Sequence, residues 1–260
     1  MNARHAGTGS PAIDPRVRVG CSGYDYPEWH GPFYPAELPA GARFACYART
    51  FDCVEINATF HRLPDAATVD DWRERAPDGF EYALKLSRHA THMKHLADPE
   101  SWLEGFVDAV RRLAGHAGPV LVQLPPHWRA DPGRLRDFLA AAPDDLRWAV
   151  EVRDARWLRD DVIACLEDAG ATLVLHDLLA DHPREPIGAW SYVRYHGPDR
   201  SRPYHGGYAH QALVADARRF ARWIAGGRSL HAFFNNDVGG HAPRDARRLR
   251  RYVLAALDEG

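Results

Sequence analysis

Three pairs of polar side chains stand two residues apart at the ends of short apolar runs: Glu55 with Asn57, Glu151 with Arg153, and Arg194 with His196. On a β-strand that spacing puts both members of a pair on one face. Other runs end in Lys85, in Gln123, in His176-Asp177 and in Asn235-Asn236-Asp237. Gathered at one place, these groups could perform acid–base chemistry on an anion. Glu151 suits the general base, since Arg153 beside it can orient a substrate, and Glu55 or His196 is the partner acid. Lys85, Arg153 and Arg194 bind negative charge, while Asn57, Gln123, Asp177, Asn235 and Asn236 offer hydrogen bonds to the substrate. Any one of these residues reads equally well as a solvated strand end or as half of a structural ion pair. Polar ends on seven strands of eight read otherwise, because burying so many ionisable groups is costly unless they converge and pair.

Among 33 lysines and arginines only two are lysines, Lys85 and Lys94. A chain that disfavours lysine keeps one at the functional end of a predicted strand, where a compact, deprotonatable ammonium does what a guanidinium cannot. We expect Lys85 to bind an anionic group of the ligand, with Arg153 and Arg194 neutralising Glu151 and Asp177. The alternative is that Lys85 is the structural partner of Glu55. The run Arg88 to His95 is basic and carries three histidines at i+3 steps with no carboxylate beside them. That suits anion contact or solvation better than metal, and neither a metal nor a cofactor is expected. Asp237 to His241, ahead of the last helical pattern, offers backbone N–H groups to a phosphate. Tyr24, Tyr26, Trp29, Trp128, Tyr204 and Tyr208 crowd the predicted loops and could stack on a base or a sugar. Phe60 and Trp157 are expected to pack loops onto the core instead.

The elements that position these residues follow from periodicity. Strands read at Arg16–Cys21, Asp52–Asn57, Phe80–Leu86, Pro119–Leu124, Leu146–Val152, Ala171–His176, Ala189–Tyr195 and Arg228–Phe234. Helical patterns lie between them, at 40–51, 65–76, 131–141, 156–169, 209–225 and 243–257. A further helix presents Trp102, Phe106, Val110 and Leu113 on one face, opened by Asp98-Pro99-Glu100. Only the interval between the sixth and seventh strands is too short for a helix. Eight strands alternating with helices, several of them of the buried type, fit a parallel sheet closed into a (β/α)8 TIM barrel. An open doubly wound sheet is the alternative, but Val-Gly-Cys-Ser-Gly-Tyr after the first strand is no dinucleotide or Walker loop. We read residues 1–15 as a flexible tail and 16–260 as one domain.

The strings VGCSGYDYPEWHGPFYP, FDCVEINATFHRLP, YALKLSRHATH, VLVQLPP, WAVEVRDARW, YVRYHGP and FFNNDVGGHAPRDA follow one another in order. Together they closely resemble the YecE-like family, domain of unknown function 72, from about Val17 to Leu257. The resemblance implies a TIM barrel and assigns no reaction. It places Glu55, Asn57, Lys85, Gln123, Glu151, Arg153, Arg194, His196, Asn235 and Asn236 in signature strings. Cys21, Tyr24 and His176 depart from the family's pattern.

Composition narrows the partners. With 33 basic and 35 acidic residues the formal charge is −2, so no global basic field attracts nucleic acid or anionic membrane, and any anion site is local. No run approaches the ~20 apolar residues of a membrane span, and the N-terminus lacks a secretory pattern; a soluble, cytoplasmic protein is expected. Cys21, Cys46, Cys53 and Cys165 form no C-x-x-C pair and are expected reduced. The favoured function is an enzyme acting on a small anionic, phosphate-bearing substrate. Alternatives are a nucleic-acid-binding or endonuclease-like barrel and a non-catalytic binder of a small anion or nucleoside. The sequence fixes no oligomeric state.

Overall fold

The computed structural model describes residues 14–259. Eight parallel strands close into a barrel in chain order: β1 (Val17–Ser22), β2 (Cys53–Ile56), β3 (Glu81–Lys85), β4 (Ala117–Gln123), β5 (Trp148–Glu151), β6 (Thr172–His176), β7 (Trp190–Tyr195) and β8 (Ser229–Phe234). Around it run α1 (Arg43–Ala48), α2 (Ala58–His61), α3 (Ala66–Arg75), α4 (Leu103–Arg112), α5 (Pro132–Ala141), α6 (Asp160–Asp168), α7 (His210–Ala225) and α8 (His241–Asp258). The TIM barrel is the observed fold, and the interval between β6 and β7 holds no helix. Of the expected tail, residues 1–13 lie outside the described residues. Asp14 is tied down, its carbonyl accepting from Val17 N at 2.9 Å.

Local chemistry explains the helix starts. Asp65 and Asp131 each accept a hydrogen bond from the backbone three residues on, and Pro132 fills the first position of α5. The start of α4 departs from expectation. Asp98 has φ of 50°, and Pro99–Ser101 form a separate 3₁₀ turn, so the helix begins only at Leu103. Trp102 sits at its N-terminal boundary with the indole N–H on Ala97 O (2.9 Å).

Strand alternation sorts the interior into two regions. Outward residues such as Val17, Val19, Val54 and Leu84 pack beneath the helices. Inward residues fill the lumen at three levels. Arg18, Glu81, Arg147 and His231 form the lower one, with Glu81 accepting from Arg18 (3.0 Å), Arg147 (3.2 Å) and His231 (3.0 Å). Burial alone would raise the Glu81 carboxyl, but the His231 hydrogen bond and the two arginine charges bring it down to about 2. Cys53, Ala83, Leu121, Ala149, Val174, Tyr192 and Phe233 make the apolar middle. The upper level is polar and carries the candidate site.

β1 and β2 approach so closely that a Cβ on Gly20 would lie 2.3 Å from Cys53 O. The buried Tyr47 hydroxyl stitches this seam, accepting from Cys21 N and donating to Cys53 O, each at 2.9 Å. A side chain of α1 thus supplies bonds where the β1–β2 ladder is short.

Candidate functional site

Arg194, on β7 and 1% exposed, is the hub of the upper level. It donates to Glu55 Oε1 and to Glu151 Oε2, both at 2.7 Å, while the Tyr192 hydroxyl donates to the other Glu55 oxygen at 2.7 Å. Arg153 Nε donates to the remaining oxygen of Glu151. Gln123 Oε1 accepts from Lys85 Nζ (2.8 Å) and from Arg153 Nη2 (3.3 Å). Side chains from β2, β3, β4, β5 and β7, with Arg153 just beyond β5, therefore form one continuous network. Burial would raise Glu151, but the charges of Arg153 and Arg194 hold it well below the usual carboxylate range. Both buried glutamates have every oxygen occupied by a donor. As general base and partner acid they are poorly placed, since the groups that would have to exchange protons are fixed in ion pairs. Their geometry suits holding two guanidiniums.

Beside this network lies His196, also buried. Arg153 (3.2 Å) and Arg194 (3.3 Å) both donate to its Nε2, which leaves the ring proton on Nδ1, 3.3 Å from Asp177 Oδ1. Burial lowers the imidazole's pKa, partly opposed by the Asp177 hydrogen bond. Asp177 also accepts from His196 N (3.0 Å) and from the Tyr208 hydroxyl. The expected neutralisation of Asp177 by an arginine is therefore corrected: a neutral His196 and Tyr208 satisfy it. His176 holds the backbone, donating to Val152 O (2.8 Å) and accepting from Leu178 N (3.2 Å), and burial takes it down to about 3.

Lys85 differs from the other cations. It is 8% exposed, no carboxylate is within ion-pair distance of it among the described residues, and its partners are the Gln123 oxygen and the Phe60 ring, 4.2 Å away. The alternative in which Lys85 neutralises Glu55 fails, because Arg194 and Tyr192 occupy that carboxylate. Burial, reinforced by the Arg194 charge, lowers the ammonium to about 8. Phe60 is brought there by α2, a single turn the apolar pattern does not reveal, anchored by Thr59 Oγ1 on Ile56 O (3.0 Å) and Lys85 O (2.7 Å). The expectation that Phe60 packs a loop is corrected: it faces a cation. Trp157 does pack, its indole N–H on Trp128 O (2.8 Å).

One residue outside the predicted set joins the site. Asp237, after β8, is nearly buried, and its Oδ1 has no partner among the described residues. Burial raises this carboxyl, the nearby Tyr26 hydroxyl pulls against it, and the charge of Glu55 adds to the rise, to about 8. Ser22 Oγ at the end of β1 and Asn57 Oδ1 at the end of β2 are buried and likewise unpartnered. β8, β1 and β2 are neighbours, so the three oxygens mark one side of the mouth. In the sequence Asp237 stood out only as the end of the Asn235-Asn236-Asp237 string and the start of the Asp237 to His241 loop.

Asn236 is fully buried on the outward face and bonds Gly206 O (2.8 Å) and Asp245 (3.1 Å), which makes it a loop anchor rather than a substrate contact. Asn235 is half-buried at the rim, its backbone N–H on Tyr195 O (2.8 Å). In the expected phosphate loop, Asp237 to His241, the N–H groups of Val238 and Gly240 bond Tyr204 O and Asp237 O, and that of Ala242 just beyond it bonds Asn236 O. Trp29 is buried against Tyr47 and Tyr34, so it offers no stacking face. His92 lies against Phe60 and His95 against Trp128, and among the described residues no group of three or more His, Cys, Asp or Glu is placed to hold a metal. No helix among them is long and apolar enough to cross a membrane.

Residues 18–259 match the family described as protein of unknown function DUF72. The chain is 34% identical over 109 residues to the UPF0759 protein YecE of Escherichia coli strain K12, a match covering 41% of this chain and 40% of that protein. A DUF72 family protein from Thermotoga maritima has the same fold, with a TM-score of 0.79 and 23% identity over 92% of this chain and 99% of that one. A DUF72 family protein from Enterococcus faecalis gives 0.76 and 16% over 92% and 95%. An L-ribulose 3-epimerase gives 0.53 and 13% over 94% and 95%. These structural likenesses speak to the fold alone.

Proposed function

The chain belongs to the DUF72 family, and we propose that it is an enzyme that takes a small anionic, phosphate-bearing substrate at the carboxyl-terminal mouth of its barrel. The observation that carries this reading is Lys85, a nearly buried ammonium in a lysine-poor chain whose hydrogen-bond acceptor is a neutral amide. Arg153 and Arg194 are matched by Glu151 and Glu55, so a substrate anion on Lys85 would complete the charge balance of the mouth. Arg153, less deeply buried than Arg194, is a second contact, with Gln123 fixed between it and Lys85. Proton transfer falls to groups that titrate near neutral pH or have a free lone pair within reach. Asp237 meets the first condition. His196, oriented by Asp177, meets the second once substrate displaces a guanidinium from its Nε2. Glu55 and Glu151 position the arginines.

A thermal-shift screen of phosphorylated metabolites, followed by turnover assays on each hit, tests the reading. The expected result is a stabilising phosphorylated ligand that is turned over and whose effect disappears in Lys85→Met. Binding without turnover would make the protein a binder, and stabilisation that survives Lys85→Met would remove the anion site from the mouth.

A further inference from the structure

A cavity of about 880 Å³ lies outside the barrel, between α8 and the segment Ala48–Asp52 that joins α1 to β2. It runs from Pro32 and Gly240 at one end to Asp52 and Asp78 at the other, so it follows the height of the wall rather than entering the lumen. Its size falls within the ~300–1,000 Å³ of small-molecule sites. Arg49, Arg244, Arg247, Arg248, Arg250 and Arg251 line it, against Asp52 and Asp78 as the acidic lining. Asp52 is already occupied by Arg18 (3.2 Å) and Arg250 (3.5 Å). In a chain of formal charge −2, this is a concentrated local surplus of positive charge.

The arginines of α8 fall into two kinds. Arg244, Arg248 and Arg250 are held by the protein, the first on Asp245 (3.4 Å) and His241 Nδ1 (3.0 Å), the second on Tyr208 O (3.0 Å) and Asp245 (3.1 Å), the third on Thr50 O (2.7 Å). Fixed guanidiniums lose little freedom when an anion arrives. Arg247 and Arg251 are exposed and four residues apart on one helix face, and among the described residues neither has an ion-pair partner. From Arg244 to Arg251 the row spans about two helical turns, on the order of 10 Å, which is longer than one phosphate group. The cavity wall is not polar throughout: Phe33 and Leu254 are half-buried on it, with Phe51 beneath. Guanidinium planes and an aromatic wall suit a flat ring, and the arginine row suits more than one phosphate.

We propose that this groove binds a nucleoside diphosphate, its phosphates along Arg244, Arg247 and Arg251 and its base against the Phe33–Leu254 wall. The site is separate from the barrel mouth and does not depend on the function assigned there.

Titration calorimetry of the intact protein with ADP, GDP, CDP and UDP at low ionic strength is the test, with inorganic pyrophosphate and adenosine as controls. At least one of the diphosphates should bind saturably and more tightly than either control. Arg247→Glu and Arg251→Glu should each weaken it about tenfold or more with an unchanged melting temperature, and Lys85→Met should leave it unaltered. The proposal is overturned by absence of saturable binding, by pyrophosphate binding as tightly as the best nucleotide, or by affinity that ignores both arginine variants. Loss in Lys85→Met would move the site to the mouth, and far tighter binding of a single-stranded oligonucleotide would replace the small ligand with a polymer.

Discussion

Removing Arg194 would leave two fully buried carboxylates facing each other with one partner each. Arg194→Met should therefore lower the unfolding free energy by about 3–5 kcal/mol, read by urea denaturation, and Glu55→Gln in the same chain should restore part of the loss. Lys85 stands at the opposite extreme. Its pKa falls from 10.5 to about 8 on folding, so the folded protein works against its charge, and Lys85→Met should leave the urea midpoint at pH 7 equal or higher. If the ammonium binds the substrate anion, affinity should decline as pH rises through about 8 and the charged fraction falls. Asp237 has the reverse shift, from 3.8 up to about 8. A raised carboxyl contributes stability below pH 3.8 that is lost progressively as pH climbs through about 8. Asp237→Asn should thus gain on the wild type in denaturant midpoint as pH rises from 4 to 8, and parallel curves would show that Asp237 ionises freely.

The elements that mattered most to the site were unequal in how visible they were. β5 and β7 announce themselves, because Glu151 with Arg153 and Arg194 with His196 close apolar runs in the period of a strand. α2 does not, since one turn has no period to read, and its effect on Phe60 depends on two bonds from Thr59 to β2 and β3. The β1–β2 seam is equally hidden. There Gly20→Ala should be severely destabilising for a surface-conservative change, by about 1–3 kcal/mol, because the added Cβ meets backbone rather than a flexible side-chain end. A melting temperature within a degree or so of wild type would mean that β1 and β2 separate at little cost.

Across the whole molecule, ionic layers close the lumen above and below an apolar middle, and buried or half-buried histidines accompany both. His92 is lowered to about 4 and His176 to about 3, and His182, His196 and His231 shift the same way, burial being the first cause in each. The unfolded chain takes up protons at these positions near the ordinary value of 6.5 and the folded chain does not, so stability must fall as pH drops below 6.5. Below 4.5 Glu81, depressed to about 2, adds to the loss as its carboxylate is protonated. These groups outnumber Asp237, whose contribution runs the other way. The urea midpoint should therefore decrease steadily from pH 6.5 to pH 3, and a flat profile would contradict the assigned neutral histidines.

The sequence by itself determined the barrel and the sharing of one face by its polar strand ends, because both rest on local periods: two along a strand, about 3.6 along a helix. It also placed Lys85 apart from the arginines, through composition alone. What it left to tertiary structure was the pairing. Glu55 meets Arg194 across 139 residues of chain and Tyr192 across 137, so no spacing rule could reveal that Arg194, and not Lys85, takes that carboxylate. The surroundings of Glu55, Glu151 and Asp237 were hidden for the same reason, since a carboxylate's basicity is set by which donors and how much water surround it once the barrel closes. The arginine groove follows suit: Arg250 reaches Thr50 across 200 residues, and a row of charges on α8 becomes one wall of a cavity only because the Ala48–Asp52 segment lies across from it.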